Sequence, residues 1–305
     1  MKKDYPLSVV YILLLFTMLF WASAFVWVNQ VLEIGFKPIT IAFLRMVVAT
    51  VFLTLCTKIL RIKEKIRKED HKLIFFLAFA EPFCYFLGLK FGMQFLTPTT
   101  ASIMISTIPL FLPIFAWLIL KESVSINKTI GLLVSFVGVM LIVIEDLNFG
   151  GRLIGFLLLS ISVLSGTAYS ILLRKLTNKY SALTITKYQA SIAMWLYLPL
   201  FFIFDFREFV SMSLSMPLTL LDFRFIVLLG ALPSSLSFVF YTIAVRKLGV
   251  VRPSIMTNII PVFTAILAFY ILKEPFTTVK IIAMGVVIAG LFVSQVDRKN
   301  VMRKE

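Results

Sequence analysis

The chain has little of what aqueous chemistry is built from. Its 305 residues include a single histidine, His71, two cysteines, Cys56 and Cys84, and only 15% charged side chains. One histidine cannot assemble a metal site, which takes about three or four ligands; at the end of a charged loop, His71 retains only a proton-relay role. Two isolated cysteines inside apolar runs read as buried hydrophobes. The patterns HExxH, GxSxG and GxxxxGK[ST] are absent, which removes the corresponding zinc-protease, serine-hydrolase and P-loop nucleotide chemistries. The sequence therefore implies neither a metal nor a cofactor, and it does not read as an enzyme. Two alternatives stay open: an intramembrane enzyme, and a membrane receptor with no separate output domain, since only short tails such as Asp297 to Glu305 are at hand.

Acidic groups are scarce as well, with 15 Asp and Glu against 30 Lys and Arg and a formal net charge of +15. Such a balance points to nucleic acid only where the charge gathers on a tail or face, and here it does not. What the chain has in abundance is apolar: 60% hydrophobic residues, 31 Phe and a mean hydropathy of +0.99. That is more apolar surface than a soluble core of this length hides. A helix that crosses a bilayer needs about 20 mostly apolar residues. Pro, Gly and charge clusters cut the chain into ten such runs: Ser8 to Gln30, Ile39 to Ile59, Leu73 to Met93, Thr99 to Leu120, Thr129 to Ile144, Leu153 to Leu173, Thr186 to Phe204, Phe225 to Val245, Pro253 to Leu272 and Val279 to Val296. The expected fold class is an all-α membrane protein of ten transmembrane helices. The small residues Ala22, Ser23 and Ala24 resemble a signal-peptide cleavage site, but the apolar run continues through Val26, Trp27 and Val28, so the segment is kept as helix 1.

The ten runs fall into two fives. SIMISTIPLFLPIFAWLILKE at Ser102 to Glu122 returns as SIMTNIIPVFTAILAFYILKE at Ser254 to Glu274, an offset of 274 − 122 = 152 residues. A period near half the chain is too long for a solenoid and marks two homologous units, residues 1–148 and 149–305. Five helices per unit is odd, so the second enters the membrane from the opposite side. The repeats are inverted, an arrangement that recurs in secondary transporters working by alternating access around a midplane site.

Most of the 30 basic residues group on one side if the N-terminus is cytoplasmic, including the run Lys58, Arg61, Lys63, Lys65, Arg67, Lys68 and Lys72. Only Lys37, Lys90, Arg152, Arg207, Arg224, Lys273 and Lys280 fall outside. The positive-inside rule then places both termini in the cytoplasm of a multi-pass cell (inner) membrane protein.

Polar groups within the apolar runs are the candidate site. Glu81, followed by Pro82, lies near mid-helix, where an ionised carboxylate must face a polar cavity, pair with a cation or hold a proton. Tyr85 shares its helical face, and Pro82 frees the carbonyl of Ala78. Arg45 either serves function or pairs structurally; its depth makes a pair with Glu81 the leading expectation. At an offset of 144 Arg45 falls opposite Gln189, whereas Glu81 falls opposite Pro233 at 152, so the carboxylate breaks the internal symmetry. Pro109 and Pro261 kink the two repeated helices, each three residues after a polar side chain, Ser106 or Asn258. Pro233 kinks a polar patch with Ser234 and Ser235. Trp21, Tyr169, Tyr188 and Gln189 complete the candidates, interfacial placement of the tyrosines being the plainer alternative. The Lys-Glu pairs at 121–122 and 273–274 read as architectural helix ends or gate latches. The segment Asp205 to Arg224, with Met212, Leu214, Met216 and Leu218, reads as an external loop that lies on the surface or caps the cavity.

The pattern resembles the drug/metabolite transporter superfamily, in its EamA type of ten helices in two duplicated halves. The resemblance is carried by Phe20-Trp21-Ala22-Ser23-Ala24-Phe25, by Arg45 after Ile41-Ala42-Phe43-Leu44, and by the twin Pro109 and Pro261 helices ending in Leu-Lys-Glu. It covers nearly the whole chain. It implies export or exchange of an amino acid or other small metabolite through a cavity between the halves, with helices 5 and 10 peripheral. With no nucleotide site, transport would be secondary; Glu81 makes the proton the candidate coupling ion. The lipid bilayer and a small-molecule substrate are the implied partners, nucleic acid is not, and oligomeric state is left open.

Overall fold

The computed structural model describes residues 5–112, 126–148, 153–215, 219, 222–275 and 277–295. Lys121, Glu122, Met216, Leu218, Arg152 and the tail from Asp297 lie outside them. Within them the regular structure is helical: α1 Leu7–Ile34, α2 Pro38–Ile59, α3 His71–Ala78, α4 Tyr85–Gly92, α5 Pro98–Ile105, α6 Ile126–Asn148, α7 Leu153–Thr177 and α8 Ala182–Leu200. After these come α9 Phe206–Ser215, α10 Arg224–Ala231, α11 Ser237–Leu248, α12 Val251–Met256, α13 Ile260–Leu267 and α14 Thr278–Gln295. Several are pieces of one longer helix. Seven helices among the described residues are long and apolar enough to cross a bilayer, and three shorter apolar ones are Pro98–Leu112, Leu133–Ile142 and Thr278–Gly290.

Local chemistry sets the ends. α1 runs unbroken through Ala22 to Ala24 and stops at Gly35, whose φ of 107° suits a residue without a Cβ; its N–H bonds back to Leu32 O. Proline opens α2 and α5, where a missing N–H costs nothing. Ser181 caps α8 by accepting from Thr184 N. α8 does not end at Phe204 as the apolar run suggested. A wide π-helical turn, Phe201–Asp205, carries it into α9, so the expected external loop begins as a helix. Phe209 of α9 packs on Phe36 and Phe201.

Contacts recur with the halves of the chain exchanged. A Cβ on Gly138 would strike Ala283 O and Val287, and one on Gly290 would strike Gly131 O and Ser135. Every residue in the first set lies 152 positions from its counterpart in the second (290 − 138, 283 − 131, 287 − 135), and Ser135 Oγ donates to Val287 O at 3.0 Å. α6 and α14 thus close on each other through small residues, which let backbones approach. Their other faces expose Phe136, Val137, Ile282 and Phe292. Likewise Glu64 accepts from Ser181 N at 2.7 Å, while Glu208 pairs with Lys37 at 3.0 Å; both positions shift by 144. Beside them Asp205 caps α2, accepting from Thr40 N and Oγ1 at 2.8 and 2.9 Å.

Two lysines assigned to the external surface are interior. Lys280 is 4% exposed and pairs with the equally buried Glu274 at 2.9 Å, and Lys90 is 0% exposed. Charge count placed them by their nearness to the ends of apolar runs; burial was decided by helices packing over those ends.

Candidate functional site

The helices that carry intramembrane polar groups are broken where those groups stand. Between α3 and α4 the chain makes a π-helical turn, Phe79–Cys84, in which Glu81 has extended dihedrals (φ −143°, ψ 124°) and the Glu81–Pro82 bond is cis. Between α10 and α11 a second such turn, Leu232–Leu236, holds Pro233. The shift from 81–82 to 233–234 is again 152. Proline cannot donate a backbone bond, and carbonyls freed at bilayer depth must find partners inside the protein. They do. Glu81 O accepts from Gln189 Nε2 at 2.9 Å, Phe83 O from the Tyr197 hydroxyl at 2.6 Å, Tyr85 O from Ser162 Oγ at 2.8 Å and Pro233 O from Trp21 Nε1 at 3.2 Å.

The first of these breaks opens onto a cavity through Glu81. α1 contributes Trp21 and Phe25, α2 Arg45, the broken helix Glu81, Tyr85, Phe86 and Leu89, and the segment after α5 Ser106 and Pro109. The second half contributes Tyr169 and Ser170 from α7, Phe238 and Tyr241 from α11, and Ser254, Thr257 and Ile260. Aromatic rings form much of the wall: Trp21 lies 5.6 Å from Phe238 and 5.1 Å from Tyr241 between centroids.

Arg45 and Glu81 both face this cavity and both are buried, 2% and 8% exposed. They do not pair. The expected Arg45–Glu81 ion pair is absent among the described residues; Arg45 Nε donates instead to Ser234 Oγ, which donates onward to Leu229 O. The guanidinium sits 4.0 Å above the centre of the Phe86 ring, a cation–π arrangement that gains strength when desolvated. Depth in the helix fixes only the reach of Arg45; its direction is set by Phe86 and by the turn at Pro233. The Glu81 carboxylate has no hydrogen-bond or ion-pair partner among the described residues.

Of the residues singled out in the sequence, Trp21, Arg45, Glu81, Tyr85, Ser106, Pro109 and Tyr169 meet on the cavity. Ser106 turns its hydroxyl to Ile103 O at 2.7 Å. Tyr188 and Gln189 do not line it; Gln189 braces the Glu81 turn from behind. Asn258 is buried but off the wall, because the helix tightens to a 3-10 turn over Thr257–Ile259. That turn advances each side chain by about 120° instead of about 100° and presents Thr257 instead. Pro82, Pro233 and Pro261 shape the backbone without lining the space. Sequence reasoning missed Ser170, Tyr241, Ser254 and Thr257 on the wall and Tyr197 and Ser162 behind it; Ser170, one turn after Gly166, carried the signal of a small polar pair on one face.

One end of the bundle is fastened by polar contacts outside the spans. Asp70 accepts from Lys179 Nζ and the Tyr180 hydroxyl, both at 2.7 Å, and Arg246 donates to Thr177 O and Tyr180 O. Hydrogen bonding to Asp70 pushes the Lys179 ammonium above its usual range. Burial pushes Glu64 upward, but bonds from Ser181 and Thr184 and the nearby Arg246 outweigh it and hold the carboxyl below its usual range.

Comparison with known proteins gives a consistent picture. The model of the EamA-like transporter family matches residues 8–144 and again residues 153–295. The chain is similar to the uncharacterized transporter YetK of Bacillus subtilis, 28% identical over 76% of this chain and 70% of that protein. It is similar to an uncharacterized transporter of Archaeoglobus fulgidus, 26% identical over 93% and 97% of the two chains. A solved crystal structure shares the fold with a TM-score of 0.68 at 13% identity, covering 94% of this chain and 97% of that one.

Proposed function

This chain belongs to the EamA-like transporter family, and from that premise we propose that it is a secondary transporter exporting or exchanging a small metabolite, an amino acid or similar, by alternating access. The observation that carries this reading is the unpaired Arg45 and Glu81 on one cavity wall. A buried charge without a counter-ion is expensive in a membrane, and a ligand with an anionic and a cationic end supplies one to each. Aromatic walls from Trp21, Tyr85 and Tyr169 suit an apolar body between those ends. Multi-pass burial in the bilayer follows from the family and the apolar helices.

The finer architecture belongs to the same proposal: two inverted five-helix repeats, 1–148 and 149–305, ten spans, both termini in the cytoplasm of the inner membrane. Contacts that recur at offsets of 152 and 144 with the halves exchanged support it, as does the twofold match of the family model. Broken helices around a central site are how inverted-repeat carriers bind and rock. Glu81 is the proton-coupling group, and Glu274 with Lys280 a latch at the end where α13 gives way to α14.

The test is a comparison of metabolites in the medium of cells with and without the protein. Accumulation of a small metabolite outside producing cells is the expected result. Depletion from the medium would reverse the direction, and identical media with identical cell contents would sink the reading.

A further inference from the structure

Lys90 is the one lysine of α4, and nothing in the mechanism so far uses it. Its side chain is 0% exposed and its Nζ has no hydrogen-bond partner among the described residues. Gly88 and Gly92 turn one face of α4 against α7, where a Cβ would strike Leu158 O, Ser162 and Leu159. Tyr85, Phe86 and Leu89 face the cavity. Lys90 follows Phe86 by one helical turn, so it continues the Phe86 edge of that face. The Phe86 ring carries the Arg45 guanidinium, and α2 packs against α4. Beside Phe86 the interior thus holds two basic side chains, Arg45 on the cavity wall and Lys90 one turn beyond it, and among the described residues Glu81 pairs with neither.

A buried ammonium with no partner is strongly unfavourable, so Lys90 carries its charge only when an anion comes to it, and a zwitterion spanning Arg45 and Glu81 brings none. Resting on the transport reading above, we infer that the ligand is a net anion, a metabolite bearing a carboxylate or phosphate beyond the one Arg45 neutralises, and that Lys90 is the residue selecting it. Arg45 offers a planar fork to an oxyanion and Lys90 a flexible point charge. Lys90 stands one turn beyond Phe86 toward the end of α4, so an anion held by Arg45 over that ring reaches Lys90 when that end opens. No covalent chemistry is involved.

The experiment is thermal unfolding of the purified protein in nanodiscs of zwitterionic lipid, which leaves no anionic headgroup to occupy the site. Glutamate, malate and inorganic phosphate are compared with glutamine and choline at equal ionic strength. A ligand that binds only the folded protein raises the midpoint. At least one of the three anions is expected to raise it where glutamine does not. That rise should vanish in Lys90→Met and persist in Lys90→Arg, while ligand-free Lys90→Met unfolds no earlier than the wild type, showing that it folds. No rise with any anion, an equal rise with glutamine, or a rise surviving in Lys90→Met would overturn the inference; the last is what a neutral, purely structural lysine predicts. The two readings fail separately. Release of only neutral or cationic metabolites by producing cells would keep transport and overturn the anion assignment. Anion-induced stabilisation with no difference in any metabolite would support anion binding and count against transport.

Discussion

Gln189 donates its side-chain amide to the main-chain carbonyl of Glu81 at 2.9 Å, while Arg45, its counterpart 144 positions earlier, donates to Ser234. Each polar residue reaches the broken helix of the other half. The break that exposes Glu81 is braced by α8, and the break at Pro233 by α2, helices that pack against each other. A carbonyl released by proline at bilayer depth is costly unless paired, so the two halves stabilise each other's interruptions. The divergence within this pair matters: Gln189 binds backbone from outside the cavity, whereas Arg45 stands on the cavity wall and brings a charge.

Glu81→Gln should uncouple transport from the proton gradient. The carboxylate faces the cavity with no partner among the described residues to hold it ionised, and glutamine keeps its shape without taking up a proton. In proteoliposomes carrying the metabolite found by the medium comparison, the variant is expected to exchange solute with little response to an imposed pH gradient. An unchanged gradient dependence would assign coupling elsewhere.

Small residues between α6 and α14 should tolerate nothing larger. A Cβ on Gly290 falls 2.3 Å from Ser135 Oγ and 2.6 Å from its backbone N, and overpacking of this kind costs about 1–3 kcal/mol. Gly290→Ala is expected to lower the unfolding midpoint in detergent. Gly285 on the same helix meets nothing within 4 Å, so Gly285→Ala should leave the midpoint unchanged or raise it, alanine being favoured in helices by about 1 kcal/mol.

The Glu274–Lys280 pair is nearly inaccessible, with side chains 7% and 5% exposed, and Lys280 Nζ also reaches Thr97 Oγ1 at 3.4 Å. Removing one partner leaves a buried charge behind, which costs about 3–5 kcal/mol, whereas replacing both by apolar residues can be neutral. Lys280→Met should therefore destabilise far more than Lys280→Met with Glu274→Met. Equal losses in a thermal melt would show that the pair is not desolvated.

Acid should loosen the end of the bundle held by Glu64. Its carboxyl is held below the ordinary value of 4.5, so the folded state binds that proton less readily than the unfolded chain. The contribution is present in full above the unfolded value and is lost as pH falls through the lowered folded value. Protection of the Ser181 and Thr184 amides, measured as exchange relative to the intrinsic rate at each pH, should fall over that acid window in the wild type. In Glu64→Gln the fall should be smaller, the protection being already low at neutral pH.

Much of this site was legible because membranes make polar residues conspicuous. Glu81, Arg45 and Ser106 stood out in apolar runs, and all three line the cavity. Lys90 did not stand out, because a lysine near the end of a run looks like a headgroup anchor until a neighbouring helix is seen to cover it. Asn258 and Thr257 exchanged roles through a single tight turn, and the partner of Arg45 came from the other half of the chain, 189 residues away.

The sequence by itself determined the solvent, the helices and the duplication. Apolar run length is set by bilayer thickness, and a repeated string keeps its offset however it folds, so the family and the candidate polar positions follow from local information. Only the tertiary structure decided which of those groups meet. A π-helical or 3-10 turn rotates everything beyond it, and Arg45 is turned from Glu81 because Ser234 meets it from the other half of the chain and the Phe86 ring lies beneath its guanidinium. Pairing is a property of the packed bundle, and it is the pairs that failed to form that point most directly to a ligand.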